Sequence, residues 1–439
     1  MVTMFCLELN ILTAKKDEPP IIEPHEQAHL SPPSPPSKAA AALCKRREFS
    51  SKPLDIAIYV FAWRRLDSLQ RLVRSLQAAE YCGRATNLSL TFLLDAEARP
   101  AVYTYANAVV WPHGRKRVVL EPTRRGIRGM WLEVLSRELE QYESPSAHVL
   151  PLEDDTAVSP LFYWWLTRAA LQYGPFDHAG GRRTNIMHGG SRLAGVSLYT
   201  PRLDEIHYPS RHFRPRWNSM ASSDSAFLFE LPCSWGALYF RDYWRAFLSF
   251  YALRAYPPFY NTSQEDHQKG KGADREVLGD PALGIANSRA STWPRSWKRF
   301  MVDFMYGRGD VMLYPSLPRD PRTPYASYSF STTYMERGAH SGTDAKVEAE
   351  TDGLRPASEY DYRKTVPLVS WEQVDDTAAA MGRLPPYDKL RVLDLLHVRV
   401  ASTAALTTLG RVFIAKGRTK TIATPAEYDA LAKAWQRDI

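Results

Sequence analysis

The sequence predicts an α/β protein, a doubly wound mixed sheet, mostly parallel, with a small α/β appendage at its C-terminal end. Strand-like and helix-like stretches alternate four times between residues 54 and 165, the pattern of strands joined by crossover helices. The strand-like runs, such as LSLTFLL at 88–94, are almost continuously apolar, as in strands covered on both faces. Polar residues gather just after each run: Trp63-Arg64-Arg65, Asp95, the loop 121–129 and Glu153-Asp154-Asp155. Ligands of open α/β sheets bind at the carboxyl ends of the strands, so these four groups should open onto one rim.

Each element has its own signal. DIAIYVFAW (55–63) is a strand, and the helix after it places Leu66, Leu69, Leu72, Val73 and Leu76 on one face. Residues 88–94 form a second strand ending at Asp95, 100–110 a helix, 116–120 a third strand and 129–142 a helix. The strand AHVLPLE then runs into Asp154 and Asp155. Ser159-Pro160 suits the start of the next helix, with serine as cap and proline in its first turn. FYWWL (162–166) could stack on a sugar, but its helical spacing favours core. GVSLYT (195–200) reads as another strand and 201–217 as a loop.

Three regions follow: a Pro-rich, disordered tether at 1–52, the main domain at 53–345, and the appended module at 346–439, in which we read no catalytic residues. SPPSPPS within the tether is a plain linker or an SH3-type ligand. Residues 1–16 make a poor signal peptide, because Glu8 and Asn10 interrupt a short apolar run. No stretch reaches the roughly 18–20 apolar residues of a membrane span, so no membrane anchor is visible. Cys6, Cys44, Cys82 and Cys233 show neither metal spacing nor a dense disulfide framework. Asn87 and Asn261 head glycosylation triplets of a kind that arises easily by chance.

The net charge of +8 permits an anionic ligand without choosing one. No zinc, helix-turn-helix or RNP-like pattern is present, and nucleic acid is not an expected partner. P-loop, GxGxxG, GxSxG and HExxH motifs are also absent, which disfavours the corresponding nucleotide, dinucleotide, esterase and metalloprotease chemistries.

Glu153, Asp154 and Asp155 carry the chemistry. Three adjacent carboxylates at the end of a buried strand repel one another, and persist when a cation or hydrogen-bond donors neutralise them. Oxygen-only ligation suits Mg²⁺ or Mn²⁺, with substrate phosphates completing the shell. Arg64, Arg65, Arg124, Arg125 and Arg128 on the same rim suit a diphosphate. A solvated acidic turn is the other reading of the cluster.

The order of strand one, Asp95 ending strand two, and LEDD before a helix resembles GT-A glycosyltransferases, and more closely the family of N-acetylglucosaminyltransferase I and its relatives. PCSWGALY (232–239) is similar to the strand and loop near that family's acceptor, and residues 297–315 are similar to its catalytic helix and closing strand. MERGAHSG (335–342) resembles the loop that closes over the nucleotide sugar. The resemblance implies a GT-A-like fold and a UDP-sugar donor such as UDP-GlcNAc. It further implies a glycan or other hydroxyl acceptor, Mn²⁺ or Mg²⁺, inversion, and a Golgi or endomembrane lumen. It places Asp155 on the metal, Glu153 and Asp154 near the ribose and the metal's water shell, and Asp95 near the uracil. Arg64 or Arg65 would meet the nucleotide, and His340 with Ser341 the diphosphate.

One position departs from the pattern. Where inverting relatives carry a catalytic aspartate, this chain has Lys298 and Arg299, which cannot act as general bases near neutral pH without a very large pKa shift. Asp303 and Asp242 are the candidate bases, with Glu265-Asp266 as a further alternative. A non-catalytic protein that binds a nucleotide sugar or glycan is the rival reading.

Overall fold

The structure, a computed structural model, describes residues 54–82, 88–174, 191–201, 205–206, 225–255, 285, 288, 290, 296–317, 319–320, 323–334, 366–370, 373 and 384–417. The Pro-rich region, Asn87 and Asn261 of the glycosylation triplets, Glu265-Asp266, His340 and Ser341 lie outside the described residues.

The first half follows the expected alternation. Strands β1 (Ile56–Ala62), β2 (Leu88–Leu94), β3 (Lys116–Leu120) and β4 (His148–Glu153) lie parallel in the spatial order β3-β2-β1-β4. Helix α1 (Leu66–Gln77) buries Leu69, Leu72, Val73 and Leu76, each contributing roughly 1.5–3 kcal/mol. Helix α2 is Pro100–Ala108, with proline at its first turn. Helix α3 starts earlier than the sequence suggests, as Gly126–Gly129, then a π-helical turn Met130–Val134, then Leu135–Tyr142.

After β4 comes a short strand, β5 (Thr156–Val158), before helix α4 (Phe162–Tyr173). Ser159 does not cap that helix. Leu161 is the N-cap residue, while the Ser159 hydroxyl donates to the Val369 carbonyl at 2.6 Å and accepts from the Leu161 amide at 3.1 Å. The FYWWL run is core: all five side chains are buried.

The second half of the sheet is mixed, with strands running in both directions. It adds β6 (Leu193–Ser197), β7 (Ala226–Phe229), β8 (Ala237–Tyr239) and β9 (Val311–Pro315), with helix α5 (Arg241–Ala255) after β8 and α6 (Lys298–Arg308) before β9. Strand β8 runs antiparallel to both β4 and β6, β9 is parallel to β6, and β7 is antiparallel to β9. Strands β10 (Arg319–Asp320) and β11 (Thr323–Ser327) pair with each other, and β12 (Ser331–Thr333) pairs with β5. Among the described residues no helix is long and apolar enough to cross a membrane.

The sheet takes in strands from beyond residue 345, where the sequence reading starts the appended module. Strand β13 (Arg391–Leu393) pairs parallel with β7, and β14 (Arg399–Val400) forms the edge of the ten-stranded sheet. Helix α7 (Thr403–Gly417) packs against α6 through glycines. A Cβ on Gly410 would lie 2.4 Å from the Tyr306 carbonyl oxygen, so the two backbones touch there. We expect Gly410→Ala to force the helices apart and cost about 1–3 kcal/mol; a denaturation midpoint equal to wild type would refute the close crossing.

At the foot of the sheet, opposite the carboxyl ends of β1–β4, Glu230 is fully buried between β7 and β13. One carboxylate oxygen accepts the Leu395 amide at 3.2 Å and the other lacks a hydrogen-bond partner among the described residues. Burial, then the nearby Asp394 and Asp310 carboxylates, push its pKa well up. The unfolded chain therefore ionises at lower pH than the fold does. Stability contributed by this group falls as pH rises above about 4.5, by at most about 1.4 kcal/mol per unit until the folded pKa is reached. Glu230→Gln should flatten that slope and raise the melting temperature at pH 8 more than at pH 4.

Candidate functional site

The rim is formed where β1, β2 and β4 end. Glu153 is the last residue of β4, and β1 brings Phe61 beside it in register. The turn after β1 then carries Trp63, Arg64 and Arg65 across to the acidic residues. The Arg65 guanidinium bridges two carboxylates: Nη1 donates to Asp155 Oδ2 at 2.9 Å and Nη2 donates to Asp154 Oδ1. Asp154 is buried, whereas about a fifth of the Asp155 side chain (22 %) and 30 % of Arg65 are exposed. Asp154 and Asp155 hold the guanidinium pKa above its usual value despite partial burial.

Glu153 has a different hydrogen-bond partner. Its carboxylate accepts the Trp131 indole N–H at 3.3 Å. Burial, Asp155 and Asp154 raise its pKa to about 8, opposed by Arg65 and the indole hydrogen bond. Trp131 belongs to the π-helical turn of α3 and stacks on Trp297 with centroids 4.1 Å apart and planes 15° from parallel. The extra residue of a π turn shifts the helix face, a distortion common at functional sites. Here it sets an indole between β4 and the start of α6.

Asp95, expected near the uracil, uses both oxygens on the backbone. Oδ1 accepts the amides of Ala96 at 2.9 Å and Arg125 at 2.8 Å, and Oδ2 accepts Gly126 at 3.0 Å. It thereby satisfies free amides at the start of α3. Gly126 sits at φ +66, a conformation glycine adopts at little cost. The anchored loop presents Arg124 over the Trp63 ring at 4.4 Å, and Arg64 lies over the same ring at 3.9 Å while pairing with Glu97 at 3.6 Å. Two exposed guanidinium groups thus share one indole beside the acidic cluster. Arg125 instead pairs with Glu121 at 3.1 Å.

The two candidate bases lie elsewhere. Strand β8 is antiparallel to β4, so the residues after it emerge at the foot of the sheet. There the Arg241 amide donates to His148 Nδ1 at 3.2 Å, and the Arg241 guanidinium caps α3 through the carbonyls of Ser144 at 2.6 Å and Leu139 at 3.0 Å. Burial lowers the His148 pKa to about 4. Asp242 therefore lies by the first residue of β4, about 16 Å of strand from Glu153. Asp303 is buried on α6, six residues beyond Trp297 or about 9 Å along the axis toward the foot. Asp242 thus stands at the end of the sheet opposite the rim. Lys298 is tied to the buried Glu205 at 3.0 Å.

Tyr334, not singled out from the sequence, closes the group. Its amide donates to the Asp155 carbonyl at 2.9 Å, and the Arg71 guanidinium lies 4.1 Å over its ring. The segment holding His340 and Ser341 follows directly in the chain.

Among the described residues no cluster of three His, Cys, Asp or Glu side chains is arranged to hold a metal. Two carboxylates nevertheless converge on one positive centre, the Arg65 guanidinium, which stands in for a cation. A hard divalent ion needs only one or two carboxylates when phosphates and water supply the rest, so the donor set fits such an ion when bound with a nucleotide.

No family model matches the chain, and no curated protein does. Solved structures with some likeness include S. aureus TarS 1–349, 16 % identical over 36 % of this chain and 47 % of that one, with a TM-score of 0.23. GalNAc-T7 with UDP, GalNAc and Mn²⁺ is 12 % identical over 61 % and 43 %, with a TM-score of 0.32. The mannosyltransferase PcManGT from Pyrobaculum calidifontis, in complex with GDP-Man and Mn²⁺, is 12 % identical over 91 % of each chain, with a TM-score of 0.27. This chain spans less than half the length of the first two, 47 % and 43 %. Overlaps this shallow leave the chemistry of this chain to be read from its own residues.

Proposed function

We propose that this chain is a glycosyltransferase of GT-A type that binds a nucleotide-diphosphate sugar, a UDP-sugar such as UDP-GlcNAc, at the rim where β1, β2 and β4 end. The carrying observation is the convergence of Asp154 and Asp155 on one cationic centre beside the exposed Arg64 and Arg124. A diphosphate needs positive charge on both flanks, and guanidinium groups match its oxygens in pairs. Asp155, the more exposed of the pair, is the proposed ligand of a divalent ion. When bound, Mn²⁺ or Mg²⁺ would stabilise charge on the departing diphosphate. Asp154 fixes Arg65, Glu153 lies toward the ribose, and Asp95 acts indirectly by holding the 121–126 loop. The acceptor would be a glycan or other hydroxyl compound, and a Golgi or endomembrane lumen belongs to the same proposal.

A second reading has its own support. Asp242 follows β8 at the foot of the sheet, Asp303 is buried on α6, and Lys298 and Arg299 are the positions nearest to the aspartate that the resemblance to inverting relatives implies. A protein that binds the nucleotide sugar without transferring it accounts for that arrangement. Titration of UDP and a panel of UDP-sugars by calorimetry, with and without Mn²⁺, tests the shared donor site. Metal-dependent binding supports both readings, and slow release of UDP from the tightest-binding sugar in water or with a glycan panel selects the enzyme. Absence of any nucleotide binding would defeat both.

A further inference from the structure

We propose that Arg65 is a resident counter-ion that competes with the divalent cation for Asp154 and Asp155, and that metal-nucleotide binding transfers it from the carboxylates to the diphosphate. The inference rests on the donor-site reading above and goes beyond it by assigning Arg65 opposite effects on two ligands.

The geometry sets the two cations in competition for the same two carboxylates. Arg65 Nη1 lies 2.9 Å from Asp155 Oδ2 while Nη2 holds Asp154 Oδ1, so one planar fork occupies the near oxygens of both carboxylates. A Mg²⁺-sized ion bound to Asp155 Oδ2 would sit about 2.1 Å from that oxygen. It would then meet a guanidinium of like charge at contact distance, in a partly desolvated site where repulsion is strong. Water alone does not repay loss of the fork. A nucleotide does, because its phosphates both ligate the ion and offer the displaced fork a second bidentate partner.

The side chain is placed to move. Arg65 is the residue before α1, and its backbone is fixed by its carbonyl, which accepts the Leu69 amide at 3.1 Å. Its side chain is 30 % exposed, so the fork can leave the carboxylates through solvent without unpacking the core. The neighbouring Arg64 and Arg124 remain on Trp63, marking the side from which an anion would approach.

Opposite signs are the signature. In Arg65→Gln, Mn²⁺ binding without nucleotide should tighten by about tenfold or more, whereas UDP binding in saturating Mn²⁺ should weaken by about tenfold or more. Arg65→Lys, a point charge unable to bridge both carboxylates, should shift each value in the same direction by less. The experiment is a titration of the full chain with Mn²⁺, followed through the electron paramagnetic resonance of free Mn²⁺, with and without UDP. Wild type, both Arg65 variants and Asp155→Asn are compared, with circular dichroism as the check on folding. If Mn²⁺ binding is lost in Asp155→Asn but unchanged in Arg65→Gln, the metal site stands and the competition is refuted. If Mn²⁺ affinity and UDP affinity both fall in the Arg65 variants, Arg65 merely organises the site and the proposal is overturned. If no variant binds Mn²⁺ or UDP, the donor-site reading falls as well.

Discussion

Asp155→Asn is expected to weaken Mn²⁺-dependent UDP binding by at least about a hundredfold, since losing even an outer-shell partner of a metal site costs about 10–100-fold. The same substitution should hardly change stability. Asp155 holds the strand through its carbonyl, which accepts the Tyr334 amide, and that bond survives the change. What disappears is one arm of the Arg65 bridge, with both partners partly exposed, a contribution of about 1 kcal/mol or less. Asp154→Asn should invert the balance, because that side chain is only 6 % exposed and its charge balances the guanidinium inside the fold. Calorimetry for UDP with Mn²⁺, beside a denaturation curve for each variant, separates the two roles. Equal binding losses for both variants at equal stability would remove the distinction between ligand and support. Wild-type binding by Asp155→Asn would return the acidic run to a turn neutralised by an arginine.

Local pattern made the first half of the fold legible, and strand direction hid much of the rest. The strands at 88–94 and 116–120 match their sequence-predicted limits, because a short apolar run between a charged residue and a turn leaves little freedom in placing its ends. The convergence of the 63–65 turn, Asp95 and the acidic end of β4 followed from parallel pairing alone. Asp242 shows where that reasoning stops. In a parallel sheet the residue after a strand faces the rim, but β8 is antiparallel and sends α5 to the foot. Apolar periodicity is the same in both directions, so the sequence carries no sign for it. Asp303 lies on α6, which leads down to the start of β9, so successive turns carry its residues away from Trp297. The β5–β12 ladder joins residues more than 170 positions apart and rests on three pairs, too few to leave a pattern. The choice of Arg65 over Arg64 for the acidic pair is likewise a matter of which side of a turn each side chain leaves.

Trp131→Ala should give the largest loss of stability, about 3–5 kcal/mol, the usual result of truncating a fully buried tryptophan. The indole contacts three parts of the chain that meet nowhere else in sequence. It stacks on Trp297 at 4.1 Å, packs on Phe61 of β1 at 5.0 Å and donates to Glu153 of β4. Stacking adds about 0.5–1.5 kcal/mol beyond the buried area. The α6 entry and the acidic strand end are therefore joined through one side chain. Trp131→Phe separates packing from polarity. A phenyl ring keeps the contact with Phe61 and much of the stack, so its cost should be well under half that of alanine. It removes the only polar atom that Trp131 offers to Glu153, whose carboxyl then loses a donor that favours its ionised form. If Glu153 orients the nucleotide, the phenylalanine variant should lose UDP affinity by several-fold at a stability close to wild type. If UDP affinity is unchanged while alanine still unfolds the protein, Trp131 is a packing residue alone. The π turn that places it would then serve the joint between α3, β4 and α6, with no part in the donor site.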